Sequence, residues 1–352
     1  MRYTTLGQTG LVISKLAFGG GTFTLGDTTT PGAESVAKVG PELADRLVGR
    51  AIDAGITLFD TSDYYAAGES EVLLGRALKP HRDDIVLTTK CGFRTGAPLV
   101  RSGLNRRHIH WSVDQSLRRL GTDWIDVYVM HLEDPYTPLE ETVAALDDIV
   151  RAGKVRYLGV SNWSAWRTAA CLELQRAGGL APFTHAQMLY SLLTRDVERD
   201  VIPMLARYGC GLTAYSPLAF GFLSGKYSRE NMSDTDNRLS GPLKDMLPFD
   251  KEQGFAVVEC MRKIGEDLGA SVAQVAVAWL LAKSSVDSVI LGVTKPHQLE
   301  DNLGAADLVL DPSVVNELDS LTPLAPAYPN WYWDQLGDHT RTAALTEGVT
   351  HA

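Results

Sequence analysis

Between positions 60 and 131 a carboxylate, an amine and an imidazole each stand where an apolar run gives out, and two phenols follow the carboxylate. Asp60 follows Leu58 and Phe59, and Tyr64 and Tyr65 come within the next five residues. Lys90 closes the run DIVLTTK, and His131 closes WIDVYVMH. Each residue type is ordinary at the end of a strand. Three successive runs that end in an acid, an amine and an imidazole are a less ordinary coincidence.

Together these groups define a chemistry. A phenol with a pKa of about 10 is a poor acid at neutral pH. A neighbouring ammonium stabilises the phenolate and brings that pKa down, while a carboxylate keeps the ammonium charged and in place. A phenol tuned in this way can protonate a carbonyl oxygen as charge develops on it; a positioned acid contributes roughly 10²–10⁴-fold. A neutral histidine can hydrogen-bond and orient the same oxygen. None of the four groups carries hydride, so a nicotinamide has to supply it.

The elements that must position them repeat along the chain. Eight strand-like runs (KLAFGG, TLFDTS, DIVLTTK, WIDVYVMH, VRYLGVSN, HAQMLYS, GLTAYSP and SVILGV) alternate with helix-like stretches, and TTLGQTGLVISKL before them reads as a hairpin about Gln8-Thr9-Gly10. Alternation implies a parallel sheet with right-handed crossovers, and eight units suit an α/β fold closed into a (β/α)₈ TIM barrel. The competing open sheet would carry G-x-G-x-x-G, and the early glycines Gly19-Gly20-Gly21 lack its third glycine. Thr137, Pro138 and Glu140 predict a capping box, as do Ser271 and Gln274 before a more apolar helix. Long connections follow the first strand (Thr24 to Gly40) and the seventh (Leu218 to Phe249), at the end where barrels gather their chemistry. A single barrel domain over residues 1–352 is expected, with 322–352 as a C-terminal tail.

Composition narrows the class. The 352 residues are 45% hydrophobic and 22% charged, and the formal charge of -10 argues against a nucleic-acid partner. No run approaches the roughly 20 apolar residues of a membrane span, and MRYTTLGQTG has no apolar core of a signal peptide. Cys91, Cys171, Cys210 and Cys260 lie far apart without C-x-x-C pairing, so neither metal nor disulfide is expected and a cytoplasmic location is the default.

Five ordered segments, FDTSDYYAAGESEVLLG, LTTKCG, DVYVMH, GKVRYLGVSN and AYSPLAFGFLSGKY, together with QLEDN near the end, resemble the signatures of the aldo-keto reductases, on the side of the family related to potassium-channel beta subunits. The resemblance implies a (β/α)₈ barrel, NADPH-dependent carbonyl reduction, and a tetrad of Asp60, Tyr65, Lys90 and His131. It selects Tyr65 as the acid and leaves Tyr64 to pack or line the pocket.

The resemblance also implies a cofactor track. Gly21, Thr22 and Phe23 match the ribose–nicotinamide side; Ser161, Asn162 and Gln187 match groups that hold the carboxamide; Tyr215 matches the ring on which nicotinamide stacks. Ser216, Pro217, Leu218, Ala219, Gly221, Lys226 and Arg238 match the pyrophosphate loop. Gly292, Thr294 and Gln298 match contacts to the adenosine phosphate, Asp301 and Asn302 contacts to adenine, and Lys295 stands near a 2′-phosphate. Helix-opening N–H groups in LGVTKPHQLEDN suit that phosphate. NADP(H) is expected; NAD(H) is the alternative, because Thr294 occupies a position where relatives often place arginine or lysine.

Two other roles remain beside the reductase: a sugar or alcohol dehydrogenase running oxidatively on NAD(P)⁺, and a cofactor-sensing regulatory subunit, since some relatives of this barrel associate with ion channels. The expected partner is a small carbonyl compound. Tyr328, Trp331, Tyr332 and Trp333 suit either a sugar-like substrate or subunit contacts in a homo-oligomer. Trp163 and the loop after strand seven are expected in the pocket wall.

Overall fold

The computed structural model of the chain describes residues 1–27, 29–30, 36–230 and 249–346. Strands β1 (Tyr3–Thr5) and β2 (Val12–Ser14) pair antiparallel as the expected hairpin. Its tight turn runs from Leu6 to Thr9 rather than about Gln8-Thr9-Gly10: the Thr9 N–H donates to the Leu6 carbonyl at 3.2 Å, and it is Gly7 that takes the positive φ, +55°. Gly7 lies against Gly211 and Thr184 at the start of two barrel strands, and any Cβ there would stand 2.6 Å from the Gly211 nitrogen. The hairpin therefore closes the N-terminal end of the barrel.

The eight parallel strands close as expected. They are β3 (Leu16–Gly19), β4 (Leu58–Asp60), β5 (Val86–Cys91), β6 (Ile125–Met130), β7 (Val155–Ser161), β8 (Phe183–Leu189), β9 (Gly211–Tyr215) and β10 (Ser288–Gly292), and β10 pairs back onto β3. Leu6, Ile13, Ala17, Leu58, Val86, Val127, Val129 and Ile290 fill the interior. Outside, the helices bury apolar faces against the strands. Helix α1 (Pro41–Asp53) buries Ala44, Leu47, Val48 and Ala51, and α2 (Glu69–Leu78) buries Leu73, Leu74 and Leu78. Further round come α3 (Arg106–Leu120), α4 (Leu139–Arg151), α5 (Ala165–Gly178), α6 (Val201–Tyr208), α7 (Lys251–Leu268), α8 (Val272–Ala282), α9 (Pro296–Leu303) and α10 (Pro312–Leu321). No single described helix is long and apolar enough to cross a membrane.

The two predicted capping boxes part company. At α8 the Gln274 N–H donates to Ser271 Oγ (3.1 Å) and the Ser271 N–H to Gln274 Oε1 (3.0 Å), as the sequence implied. At α4 the box does not form. The Thr137 hydroxyl donates instead to Asp134 Oδ2 at 2.6 Å, and the helix starts one residue later with Pro138 at its cap. The carboxylate in the preceding turn is the stronger acceptor and claims Thr137 first.

Contacts divide the chain into two units, Met1–Thr322 and Pro323–Ala352. The second holds α11 (Asn330–Leu336) and α12 (His339–Thr346). Within it Tyr328, Trp331 and Tyr332 meet edge-on, with ring centroids 5.8 to 6.4 Å apart.

Candidate active site

Strand periodicity sets the site. Asp60 is in register with Thr88, so Lys90, two residues on, projects from the same face of its strand one step nearer the rim. Lys90 is fully buried. Its Nζ donates to Asp60 Oδ1 at 2.6 Å, to the Thr61 carbonyl at 2.8 Å and to the Tyr65 hydroxyl oxygen at 3.3 Å. Burial works against its charge, but Asp60 and Tyr65 outweigh it and hold the ammonium above its ordinary pKa. The second oxygen of Asp60 accepts from Gln187 Nε2 at 2.8 Å. Gln187 is thus turned toward the buried ion pair, a link that the sequence did not announce.

Tyr65 opens a short turn, Tyr65–Gly68, whose Ala66 and Ala67 are left-handed with φ of 47° and 52°. Gly21 faces it: a Cβ at Gly21 would lie 3.4 Å from the Tyr65 ring. One expectation fails here. Burial raises the Tyr65 pKa more than Lys90 lowers it, and Asp60 adds to the rise, so the phenol lies above its ordinary value rather than below. The carboxylate that holds the ammonium also offsets part of its field.

His131 follows β6 directly. Its Nδ1 lies 3.0 Å from Ser62 Oγ, and its ring meets Tyr65 edge-on at 5.6 Å and Phe93 at 4.8 Å. Burial, then Lys90, push its pKa well below the ordinary value, so the imidazole is neutral. Tyr64 packs on Phe93 with centroids 4.6 Å apart. Ser62 and Phe93 were missed from sequence. A serine inside the polar run DTSD and a phenylalanine just past a strand carry no signal of their own until closure brings them to His131.

Around the rim, Asn162 adopts φ +57° and donates through Nδ2 to the His131 carbonyl and to Ser161 Oγ, both at 3.0 Å. Its Oδ1 accepts from the Tyr215 hydroxyl at 2.8 Å, and burial, then Tyr65, push the Tyr215 phenol up to about 12. Neither Ser161 nor Asn162 caps α5. Ser164 stands at that cap, and its Oγ donates to Glu133 Oε1. Thr22 Oγ1 ties its loop to the Val293 carbonyl at 2.8 Å. Phe23 and Trp163 are core residues: Phe23 is fully buried against Phe18, and Trp163 against Phe183, so Trp163 is no pocket wall. Pro217 is buried and Leu218 half-buried. The chain leaves β9 through left-handed residues, Ser216 at 52°, Ala219 at 45°, Phe220 at 54° and Gly221 at 95°, with the exposed Lys226 beyond, its ammonium 4.7 Å from the Tyr227 ring centre. Arg238 lies outside the described residues.

The adenosine end also differs from expectation. Gln298 Oε1 accepts from the N–H groups of Thr294 (2.9 Å) and Lys295 (3.1 Å), so these are not open for a phosphate. A side chain three residues into the helix reaches the orphan donors before any ligand does. Asp301 accepts from the Ser271 hydroxyl at 3.0 Å, and Asn302 is buried. Gly292 and Lys295 remain exposed.

A buried acid–amine pair beside a half-buried phenol and a neutral imidazole, at the C-terminal mouth of a closed barrel, agrees with the comparisons to known proteins. The model of the aldo/keto reductase family matches residues 15–323. The chain belongs to the aldo/keto reductase family. A protein of Schizosaccharomyces pombe is 35% identical over 333 residues, 91% of this chain and 93% of its own length. One of Oryza sativa subsp. japonica is 34% identical over 334 residues, 93% of this chain and 98% of its own. Both relatives are provisionally named voltage-gated potassium channel subunit beta.

Proposed function

We propose that this aldo/keto reductase family member is an NADPH-dependent carbonyl reductase in which Tyr65 donates the proton. The observation that carries the reading is how Lys90 spends its protons. An ammonium has three N–H donors and no acceptor, and Lys90 directs them to Asp60, Thr61 and Tyr65. The Tyr65 oxygen therefore accepts from Lys90, and its own proton is left to donate elsewhere. Burial keeps that proton in place at neutral pH. Once it has passed to a carbonyl oxygen, the ammonium 3.3 Å away stabilises the phenolate left behind. His131, neutral, orients the same oxygen without competing for the proton.

The rim residues suit a dinucleotide. Gly21 leaves clear a space beside Tyr65 that a Cβ would fill, and the left-handed run after β9 keeps backbone in a strained form that is common at ligand sites. Asn162, Gln187 and Tyr215 would hold the nicotinamide end, Ser216 to Gly221 with Lys226 the pyrophosphate, and Lys295 a 2′-phosphate. The nicotinamide would supply the hydride.

The names of the two relatives favour a second reading, a cofactor-binding regulatory subunit. Titrating the protein with NADPH and then following NADPH oxidation with a panel of aldehydes and sugars separates the two. Turnover with any carbonyl compound supports the reductase. Tight NADPH binding without turnover across the panel contradicts it and leaves the regulatory role.

A further inference from the structure

Behind His131 runs a buried polar chain that carbonyl chemistry leaves unused. Ser62 Oγ sits 3.0 Å from His131 Nδ1 and 3.5 Å from Asp63 Oδ1, and it accepts the Tyr64 N–H at 3.2 Å. Asp63 is buried, and its other oxygen accepts from the Ser112 hydroxyl at 2.6 Å. A serine hydroxyl has one proton to give. Ser62 can give it to His131 or to Asp63, but not to both.

We propose that Ser62 is a positioning residue that sets which ring nitrogen of His131 carries the proton, and that Asp63 behind it changes this setting with pH. The proposal rests on the reading of His131 as the group that orients a carbonyl oxygen. When Asp63 is protonated it does not compete for the serine proton. Ser62 then donates to Nδ1, the ring proton sits on Nε2, and Nε2–H is a donor. When Asp63 is ionised it draws the Ser62 proton. Nδ1 must then donate to Ser62 Oγ, which leaves Nε2 with a lone pair that cannot donate to a carbonyl oxygen. The ring stays neutral in both forms: one proton leaves Asp63 for solvent, and one moves between the ring nitrogens.

The surroundings put this exchange near neutrality. Burial, then Glu71, push the Asp63 carboxyl up to about 7, against the opposing pull of Ser112, Arg119 and Ser62. The groups facing the chain from the packed elements are Glu71 and Arg119 from the helices, Cys91, Tyr128 and Lys90 from the strands, and Tyr65, whose phenol stays protonated, edge-on to the His131 ring. Glu71 pairs with Arg119 Nε at 2.6 Å and accepts from Thr89 at 2.6 Å. Burial holds the Cys91 thiol and the Tyr128 phenol above their ordinary values, so both stay protonated. Lys90 stays charged beside Asp60, and His131 stays uncharged well above its lowered pKa.

NMR of the full chain labelled with ¹⁵N-histidine reads both ring nitrogens of His131, with the resonance assigned by His131→Gln among the eight histidines. The expected result is Nε2–H at pH 6 and Nδ1–H at pH 8 in the wild type, Nε2–H at both in Asp63→Asn, and no pH dependence in Ser62→Ala. Ser62→Thr, which keeps the hydroxyl, restores the dependence even if Asp63→Asn fails to fold. An unchanged tautomer between pH 6 and 8 in the wild type, or the same exchange in Ser62→Ala, overturns the proposal. In carbonyl reduction Ser62→Ala should lower kcat about tenfold, the worth of one hydrogen bond, and leave the KM for NADPH unchanged. A tautomer exchange without any turnover would refute the reductase reading alone, because the NMR measurement needs no catalysis.

Discussion

Taking an ammonium out of water costs several kcal/mol unless excellent partners compensate, and Lys90 shows what compensation requires: one acceptor for each of its three protons. Asp63 is buried without such a cation in direct contact, and its raised pKa makes it a liability as pH rises. The sign follows from linkage. A carboxyl at 3.8 when unfolded and about 7 when folded is held more tightly protonated in the native state. Its contribution to stability is complete below pH 4 and is lost as pH climbs through 7. Urea unfolding at pH 6 and pH 8 should therefore show about 1–2 kcal/mol less stability at the higher pH from this group, a difference that Asp63→Asn removes. An equal loss in the variant would assign the effect elsewhere. At this scale the sequence was legible where one residue type has one use. Asp60, Lys90 and His131 were found because charge at a strand exit is conspicuous. The strand that carries Gln187 is legible, but its amide partner is Asp60, a choice made across the barrel and invisible along the chain.

Elements carry these groups only if they sit at fixed depth, and two features set that depth. The register Asp60 to Thr88 puts Lys90 one layer up, and α2 is drawn tightly against α3 through Gly75. A Cβ at Gly75 would lie 2.2 Å from the Leu120 carbonyl oxygen, which is backbone and cannot move aside alone. Gly75→Ala should thus push the helices apart and cost about 1–3 kcal/mol, read as a lower denaturant midpoint with little change in slope. A neutral or stabilising result would show that the pair can relax at no cost. The eight strands and most helices were readable because period and punctuation agree along the sequence. Caps were less so. The Ser271 box forms because no stronger acceptor precedes it, whereas Asp134 takes Thr137, and Gln298 folds back over the N–H groups that suit a phosphate by sequence.

Across the whole molecule, strain and chemistry share one end. Every left-handed non-glycine residue among those described, Ala66, Ala67, Asn162, Ser216, Ala219 and Phe220, lies in a loop that leaves a strand at the C-terminal mouth of the barrel. Each costs on the order of 1–2 kcal/mol relative to ordinary backbone, and none occurs at the hairpin-closed end. Such a concentration follows from chain closure and could be read from sequence only through family resemblance. It did not reveal that Phe23 and Trp163 would be drawn into the core, since an aromatic next to a strand exit suits a pocket or a core equally well.

In the proposed reaction the proton on Tyr65, freed by Lys90 and held by burial, completes carbonyl reduction at this mouth. Rapid mixing of NADPH-loaded protein with an aldehyde substrate, wild type against Tyr65→Phe, tests it in a single turnover. The variant is expected to bind NADPH as the wild type does and to oxidise it roughly 10²–10⁴-fold more slowly. Oxidation at the wild-type rate in Tyr65→Phe would contradict it.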